Sequence, residues 1–363
     1  MPAILAHQRL AVTAIAASAV LSSVAAGQSI TGIGIGAPGQ YLSHAVGVSG
    51  NGQYVTGYTD SVAGVRAFRW SNSGGFEFFG SPNSTVPYGI SGDGNTIVGQ
   101  GDGQTQAAAF RWSGGTSIQS FSNNGSFATA INSNGSVIVG ASGSYGRVAT
   151  RWINGVQHQL SGMPFGDSVA TATSETGASV VGNNSQGAFL WREIGGVSSL
   201  GTLAGGSYSQ AYGISADGGT IVGVSNSSVS TFAFRWTAAT GMQSLGIMAG
   251  GITSSATAIS ADGRVIVGFG DIGRNDGSAG AFIHHDLTGM VSLQDYLAGI
   301  GVDMTGWSQL LRANAVSADG RFVVGNGIFN GQERAFIADI GVIPAPGALA
   351  LLGLAGFARS RRR

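Results

Sequence analysis

Tyr212-Gly213-Ile214-Ser215-Ala216-Asp217-Gly218, followed by Ile221-Val222-Gly223 and then Ala233-Phe234-Arg235-Trp236, is the stretch that decides the fold. Two short apolar runs flank a turn, because Asp and Gly tolerate the positive φ of tight hairpins. The first run ends at Ile214-Ser215 and the second closes on Gly223. In the third run Phe234 and Trp236 share one face of a strand while Ala233 and Arg235 share the other. Met242-Gln243-Ser244-Leu245-Gly246 supplies a fourth.

The unit recurs. The glycine closing the second strand falls at Gly57, Gly99, Gly140, Gly182, Gly223, Gly268 and Gly325, with steps of 42, 41, 42, 41, 45 and 57. Further turns stand at Asp262-Gly263 and Asp319-Gly320, and Val197-Ser198-Ser199-Leu200-Gly201 is another fourth strand. Four strands in about 42 residues is the arithmetic of a propeller blade. A parallel β-helix coil is shorter, and an outer-membrane barrel needs strands of about 9–11 residues. The expected fold is all-β: a seven-bladed β-propeller closed by an N-terminal strand. Copy seven stops after its third strand, Ala335-Phe336-Ile337-Ala338, while Ile30-Thr31-Gly32-Ile33-Gly34-Ile35 is a fourth strand with no blade before it. Pairing the two removes the open sheet edges that invite aggregation.

Composition agrees. Of 363 residues 63 are Gly, none is Cys, 43% are apolar and 9% charged. That is turn-rich and too apolar for a disordered chain. There is no disulfide and no thiolate metal site. All 17 basic residues are arginines; setting aside Arg9 and the four near the C-terminus leaves 12 against 17 acids, a balance of −5. A mildly acidic, lysine-free body coats phosphates poorly, so nucleic acid is not an expected partner.

The two ends read as addresses. Residues 1–26 have a weakly basic start (His7, Arg9), an uncharged apolar run from Leu10 to Val24, and small residues at Val24-Ala25-Ala26, the pattern of a secretory signal cleaved after Ala26. The expected propeller spans 27–341 and a tail spans 342–363. The tail has a stiff Val342-Ile343-Pro344-Ala345-Pro346, an apolar Gly347 to Ala358 and a basic Arg359-Ser360-Arg361-Arg362-Arg363. The apolar part is expected to be a membrane-associated helix, short of the roughly 20 residues of a full span, with the arginines on the cytoplasmic side. This layout resembles the PEP-CTERM sorting signal, with Pro344-Ala345-Pro346 in place of Pro-Glu-Pro. The resemblance implies an exosortase-type sorting protease as a partner, Pro344, Ala345, Pro346, Arg359, Arg361, Arg362 and Arg363 as the signal, and the envelope or matrix of a Gram-negative-type bacterium as the destination.

The repeats themselves resemble the extracellular HAF-repeat family. Ala-Phe is present at 67–68, 109–110, 188–189, 233–234, 281–282 and 335–336, and the Leu-Gly-Thr-Leu-Ala-Gly-Gly run stands at 200–206. The preceding His is replaced by Arg66, Ala108, Gly187, Phe232, Gly280 and Arg334. The family implies an extracellular location and no settled activity.

Few residues carry chemistry. The recurring Arg69, Arg111, Arg151 and Arg235 are either a ring of anion ligands or, more economically, partners for turn acids such as Asp93 and Asp217. Trp70, Trp112, Trp152, Trp191 and Trp236 repeat with the blade and so fit inter-blade packing better than sugar stacking. His284 and His285 adjoin on a strand and point to opposite faces, which argues against one shared metal ion. The Asp-Gly turns lack the acids of a calcium loop. Gly32-Ile33-Gly34-Ile35-Gly36 opens no helix, so it is no nucleotide fingerprint. No Gly-x-Ser-x-Gly elbow or carboxylate pair is present; neither a metal nor a cofactor is expected.

The irregular segment lies between copies six and seven. Ser292 and Asp295 form a helix-start box, and Leu293, Tyr296, Leu297 and Ile300 follow at helical spacing until Gly299 shortens the run. The segment caps the ring closure or binds a ligand; in the second case Asp295, Tyr296, Asp303, Trp307 and Arg312 are the candidate residues. The functional expectation is a non-enzymatic surface or matrix protein that binds polysaccharide or another envelope protein. The rival is a secreted glycan hydrolase or lyase, which needs acids or histidines converging on one propeller face.

Overall fold

Each sequence copy folds into one antiparallel sheet of four strands in a computed structural model that describes residues 27–34, 40–61, 64–101, 107–122, 125–143, 146–164, 166–273 and 279–343. In blade five the strands are Ser209–Ile214, Thr220–Asn226, Thr231–Thr237 and Gly241–Ser244. The first strands of blades one to seven are Gln40–Val48, Val86–Ile90, Phe127–Ile131, Ser168–Thr173, Ser209–Ile214, Ser254–Ile259 and Trp307–Val316. Each touches the next and the seventh touches the first, so they encircle one axis and the chain is a seven-bladed β-propeller.

The ring closes as the sequence implies. Ser29–Ile33 pairs antiparallel with Gln332–Asp339, from Ser29↔Asp339 to Ile33↔Ala335, and so becomes the outer strand of blade seven. Ile33 is fully buried among Ala45, Phe68 and Ala335, and the Ser43 hydroxyl of blade one donates to its carbonyl at 2.8 Å. Closure therefore combines a strand pairing with apolar burial across the blade seven–blade one seam.

Each Asp-Gly pair of the repeat turns sits inside a longer connection between the first and second strands. Between Ile214 and Thr220 the chain makes a turn closed by Gly218 N–H to the Ser215 carbonyl, with Gly218 at φ +73°. Asp217 accepts from the Ser215 hydroxyl and the Gly219 N–H, and Ser215 accepts from the Thr220 N–H. The serine before each turn is thus part of its scaffold, and the same set recurs at Ser91/Asp93, Ser260/Asp262 and Ser317/Asp319.

The repeated aromatic and arginine positions are packing residues. Phe68, Phe110, Phe189, Phe234, Phe282 and Phe336 are buried, as are Trp70, Trp112, Trp152 and Trp191. The arginines do not pair with Asp93 or Asp217. Arg69 binds Glu77 in its own blade at 2.7 Å, and Arg151 binds Glu193 in the next blade at 2.7 Å. Arg235 binds Asp286 at 3.0 Å, and Arg111 donates to Thr96 at 3.3 Å. Arg69 and Arg151 also lie over Trp112 and Trp191 of the following blade and donate to the carbonyls of Gly94 and Gly177 there. The turn acids are already occupied by their own Ser and backbone N–H groups, which is why the guanidinium groups go elsewhere.

A second tie between blades was not anticipated. Ser43, Ser126, Ser168, Ser209 and Ser254 are buried at the start of first strands, and each hydroxyl accepts the N–H of Ala335, Ala109, Ala149, Ala188 or Ala233 in the preceding blade at 2.9–3.2 Å. Each sits in a Ser-x-Ala triplet, a signal present in the sequence.

The segment between blades six and seven holds helix α1 (Leu293–Gly299), capped by Ser292, whose hydroxyl accepts from the Asp295 N–H. Leu293 and Leu297 are fully buried with Val267, Ile283, Trp307 and Phe336, so the helix fills the wedge between the last two blades. Among the described residues no helix is long and apolar enough to cross a membrane. The expected signal (1–26) and sorting residues (Pro344 onward, with Arg359 to Arg363) lie outside the described residues. Ser29 and Asp339 both stand at the face that carries the turns between first and second strands, so the described chain enters and leaves on that face.

Candidate functional site

Every first strand contains a β-bulge at the same place. The register to the second strand slips between Ala45/Gly47, Pro87/Gly89, Ala128/Ala130, Ala170/Ala172, Ala211/Gly213, Ala256/Ala258 and Ala313/Ala315. A bulge re-aims the extra residue. Here those residues are Val46, Tyr88, Thr129, Thr171, Tyr212, Thr257 and Asn314, and all seven line a cavity of about 1140 Å³ on the propeller axis. The glycines that marked the repeat sit opposite the bulges, as Ala45↔Gly57 and Ala211↔Gly223 show.

Several ring members also tie neighbouring blades. Thr129 donates to the Ala170 carbonyl at 2.7 Å, Thr171 to Ala211 at 2.9 Å and Thr257 to Ala313 at 2.6 Å. The Asn314 amide donates to the Ala45 carbonyl at 2.7 Å across the closing seam. Tyr88 and Tyr212 instead carry rings, and Tyr212 Oη bonds Gln210. Burial raises the pKa of both phenols, so they remain protonated donors at neutral pH.

The cavity opens on the face away from the turns. At the turn face, backbone bonds run from blade to blade: Gly50 N to Gly92 O, Gly92 N to Ser133 O, Glu175 N to Ala216 O, Ala216 N to Ala261 O and Ala261 N to Ala318 O, all 2.8–3.0 Å. Ser133 N donates to the Glu175 carboxylate. This draws the turns together around the axis, and none of those residues lines the cavity.

The mouth carries its imidazole, carboxylate and guanidinium on one arc. At the blade seven–blade one seam, His44 Nδ1 lies 3.5 Å from Glu333 Oε1 and 2.7 Å from Asn326 Nδ2, while its ring stacks on Tyr58 at 4.8 Å. Burial, with Glu333 and Asp60 nearby, raises the pKa of Tyr58. On the other side of blade seven, Arg312 lies 3.8 Å over the ring of Phe269 in blade six. The rest of the lining is aromatic or neutral, including Ser255, Val86 and Leu311.

The five ligand-site candidates are not brought together. Arg312 reaches the cavity. Trp307 is buried against Phe329 and Phe336. Tyr296 is half-buried edge-on to His285. Asp295 belongs to the first turn of α1, and Asp303 accepts the Thr305 N–H in an exposed loop. His284 and His285 separate as expected: His285 is buried and bonded to Thr288, while His284 takes the repeat tryptophan's place. Among the described residues no three His, Cys, Asp or Glu side chains are grouped to hold a metal ion. Sequence reasoning missed the bulge ring because a bulge shows only as the glycine opposite it.

No family model matches the chain, and no curated protein matches it. Among solved structures, an oligogalacturonate lyase from Vibrio parahaemolyticus superposes with a TM-score of 0.59 at 11% identity, covering 86% of this chain and 93% of that one. An oligogalacturonate lyase in complex with manganese gives 0.58 at 11% identity over the same shares, 86% and 93%. A TolB from Acinetobacter baumannii reaches 0.45 at 12% identity, covering 83% of this chain and 64% of that one. At such identities the likeness shows a shared fold alone.

Proposed function

We propose that this protein is an exported, non-enzymatic binding propeller of the cell envelope or extracellular matrix, and that its axial cavity takes a segment or end of a polysaccharide. The observation that carries this is the bulge ring: seven inner strands each aim one side chain into a single mouth, and those side chains are Tyr, Thr, Asn and Val. Rings offer a flat apolar face and a polar tip, and hydroxyl and amide groups match sugar hydroxyls. Asp339, near the end of the described chain, stands at the opposite face, so a protein held by its C-terminus presents the mouth outward. Export by residues 1–26 and processing of the 342–363 tail by an exosortase-type protease complete the proposal. The protein recovered from outside the cytoplasm is then expected to begin at Gly27.

A second reading, a glycan hydrolase or lyase, is favoured by one observation: His44 and Glu333 converge at the mouth within 3.5 Å. A carboxylate and an imidazole at that distance can exchange a proton with a bound sugar. Incubating the purified protein with an array of bacterial and plant polysaccharides separates the readings. Retention without new reducing or unsaturated ends supports binding. Release of such ends, lost in His44→Ala, supports the enzyme. Retention of no glycan together with release of no new ends overturns both.

A further inference from the structure

We propose that the channel mouth selects a carboxylated saccharide, a uronate, and that Arg312 is the residue that takes its carboxylate. The proposal rests on the polysaccharide-binding reading and narrows it.

Arg312 lines the cavity, which none of the repeat arginines Arg69, Arg111, Arg151 and Arg235 does. Arg69, Arg151, Arg235 and Arg321 each hold a carboxylate, at 2.7, 2.7, 3.0 and 2.6 Å. Among the described residues no carboxylate lies within ion-pair distance of Arg312, although acids outnumber bases in the body of the chain. It is exposed at the mouth rather than enclosed between blades. Its guanidinium carbon lies 3.8 Å over the ring of Phe269, and the N–H groups of a guanidinium can grip a carboxylate by two parallel bonds. Ser255, opposite Phe269 in the sheet register, lines the same cavity and places a hydroxyl beside it.

The position is built. Arg312 sits on the longest inner strand, Trp307–Val316, where three successive register slips set Ser308, Leu311 and Asn314 out of the ladder. The ring then provides sugar-stacking faces at Tyr88 and Tyr212, and Arg312 adds a cation at the edge of the mouth, across blade seven from the Glu333 carboxylate and His44. A neutral sugar would leave that guanidinium to water; a uronate would pair it.

The test is calorimetric titration with a galacturonate trimer and with the same trimer after reduction of its carboxyl groups. The wild-type protein is expected to bind the acidic trimer at least about tenfold more tightly, a difference that shrinks with added salt. Arg312→Gln is expected to abolish that preference, bringing affinity for the acidic trimer down to that for the reduced one. Arg312→Lys is expected to recover only part of it, because an ammonium cannot make the bidentate contact. Equal affinity for the two trimers, or a preference that survives in Arg312→Gln, overturns the uronate assignment and leaves the polysaccharide reading standing. Failure of both trimers to bind overturns the assignment, and polysaccharide retention then decides the broader reading alone.

Discussion

The carbonyl oxygen of Gln210 occupies the space that a Cβ on Gly223 would need. The same clash recurs at Gly57 with His44, Gly99 with Val86, Gly140 with Phe127, Gly182 with Val169, Gly268 with Ser255 and Gly325 with Arg312. The cause is the bulge, which kinks each first strand against the second and turns one side chain to the axis. The glycine that sets the period of the sequence is therefore the signature of the channel lining.

Gly223→Ala should consequently destabilise the protein. The added methyl meets backbone, which cannot rotate away, so a cost of about 2–3 kcal/mol is expected, at the upper end of overpacking effects. Urea unfolding followed by tryptophan fluorescence measures it. A loss under about 0.5 kcal/mol would mean that the bulge can relax without breaking the ladder.

Gly219 is the comparison that shows what the sequence made legible. It lies four residues earlier, yet a Cβ there meets only the Asp217 carboxylate at 3.1 Å, the end of a side chain. Periodic Gly, Phe and Trp positions exposed the blade count and the closing strand because each copy solves the same packing problem. The mouth was not legible, because its residues differ between copies: Val46, Tyr88, Thr129, Thr171, Tyr212, Thr257 and Asn314 share a position but are of four residue types. Arg312 was singled out for lying in the irregular segment, whereas Trp307, five residues away, turned inward to seal blade seven. His44 and Glu333, 289 positions apart, become neighbours only when the ring closes.

The buried serines offer a cleaner stability test than any arginine. In Ser209→Ala the Ala188 N–H loses its acceptor in a site without water access, and the Gly201 carbonyl loses its donor. A cost of about 1–3 kcal/mol follows from leaving a buried donor unpaired. Thermal melts of Ser209→Ala against the exposed control Ser199→Ala check it. Equal melting temperatures would show that the contact adds nothing.

Acid should weaken the fold before any carboxylate titrates. Burial lowers the pKa of His284 and of His285 below the ordinary 6.5. Both are neutral in the folded chain, while the unfolded chain takes up protons near 6.5. Their contribution is therefore full above that pH and is lost as pH falls toward the depressed folded values. Asp93 and Asp217, whose pKa values are lowered by the hydroxyls of Ser91 and Ser215, lose their contribution only below the ordinary carboxylate range. Urea midpoints should fall between about pH 7.5 and pH 5.5. The double variant His284→Gln/His285→Gln should show a flatter slope over that window. An unchanged slope would assign the acid sensitivity to other groups.

Binding and stability should separate along the radius of the propeller. Tyr88 is the most exposed ring of the channel lining, at 38%, and no described blade-to-blade hydrogen bond depends on it. Stacking on a sugar should therefore be its main contribution. Tyr88→Ala is expected to weaken glycan affinity about three- to tenfold with little change in melting temperature, in keeping with about 1 kcal/mol for a lost aromatic contact. Arg69→Gln removes the Glu77 pair within blade one and the Gly94 bond and Trp112 stack to blade two, all away from the mouth. It should lower the melting temperature and leave affinity intact. The opposite pattern, with affinity following Arg69 and not Tyr88, would place the ligand on the outer blade surfaces, where the sequence repeat and not the bulge ring would be the recognition element.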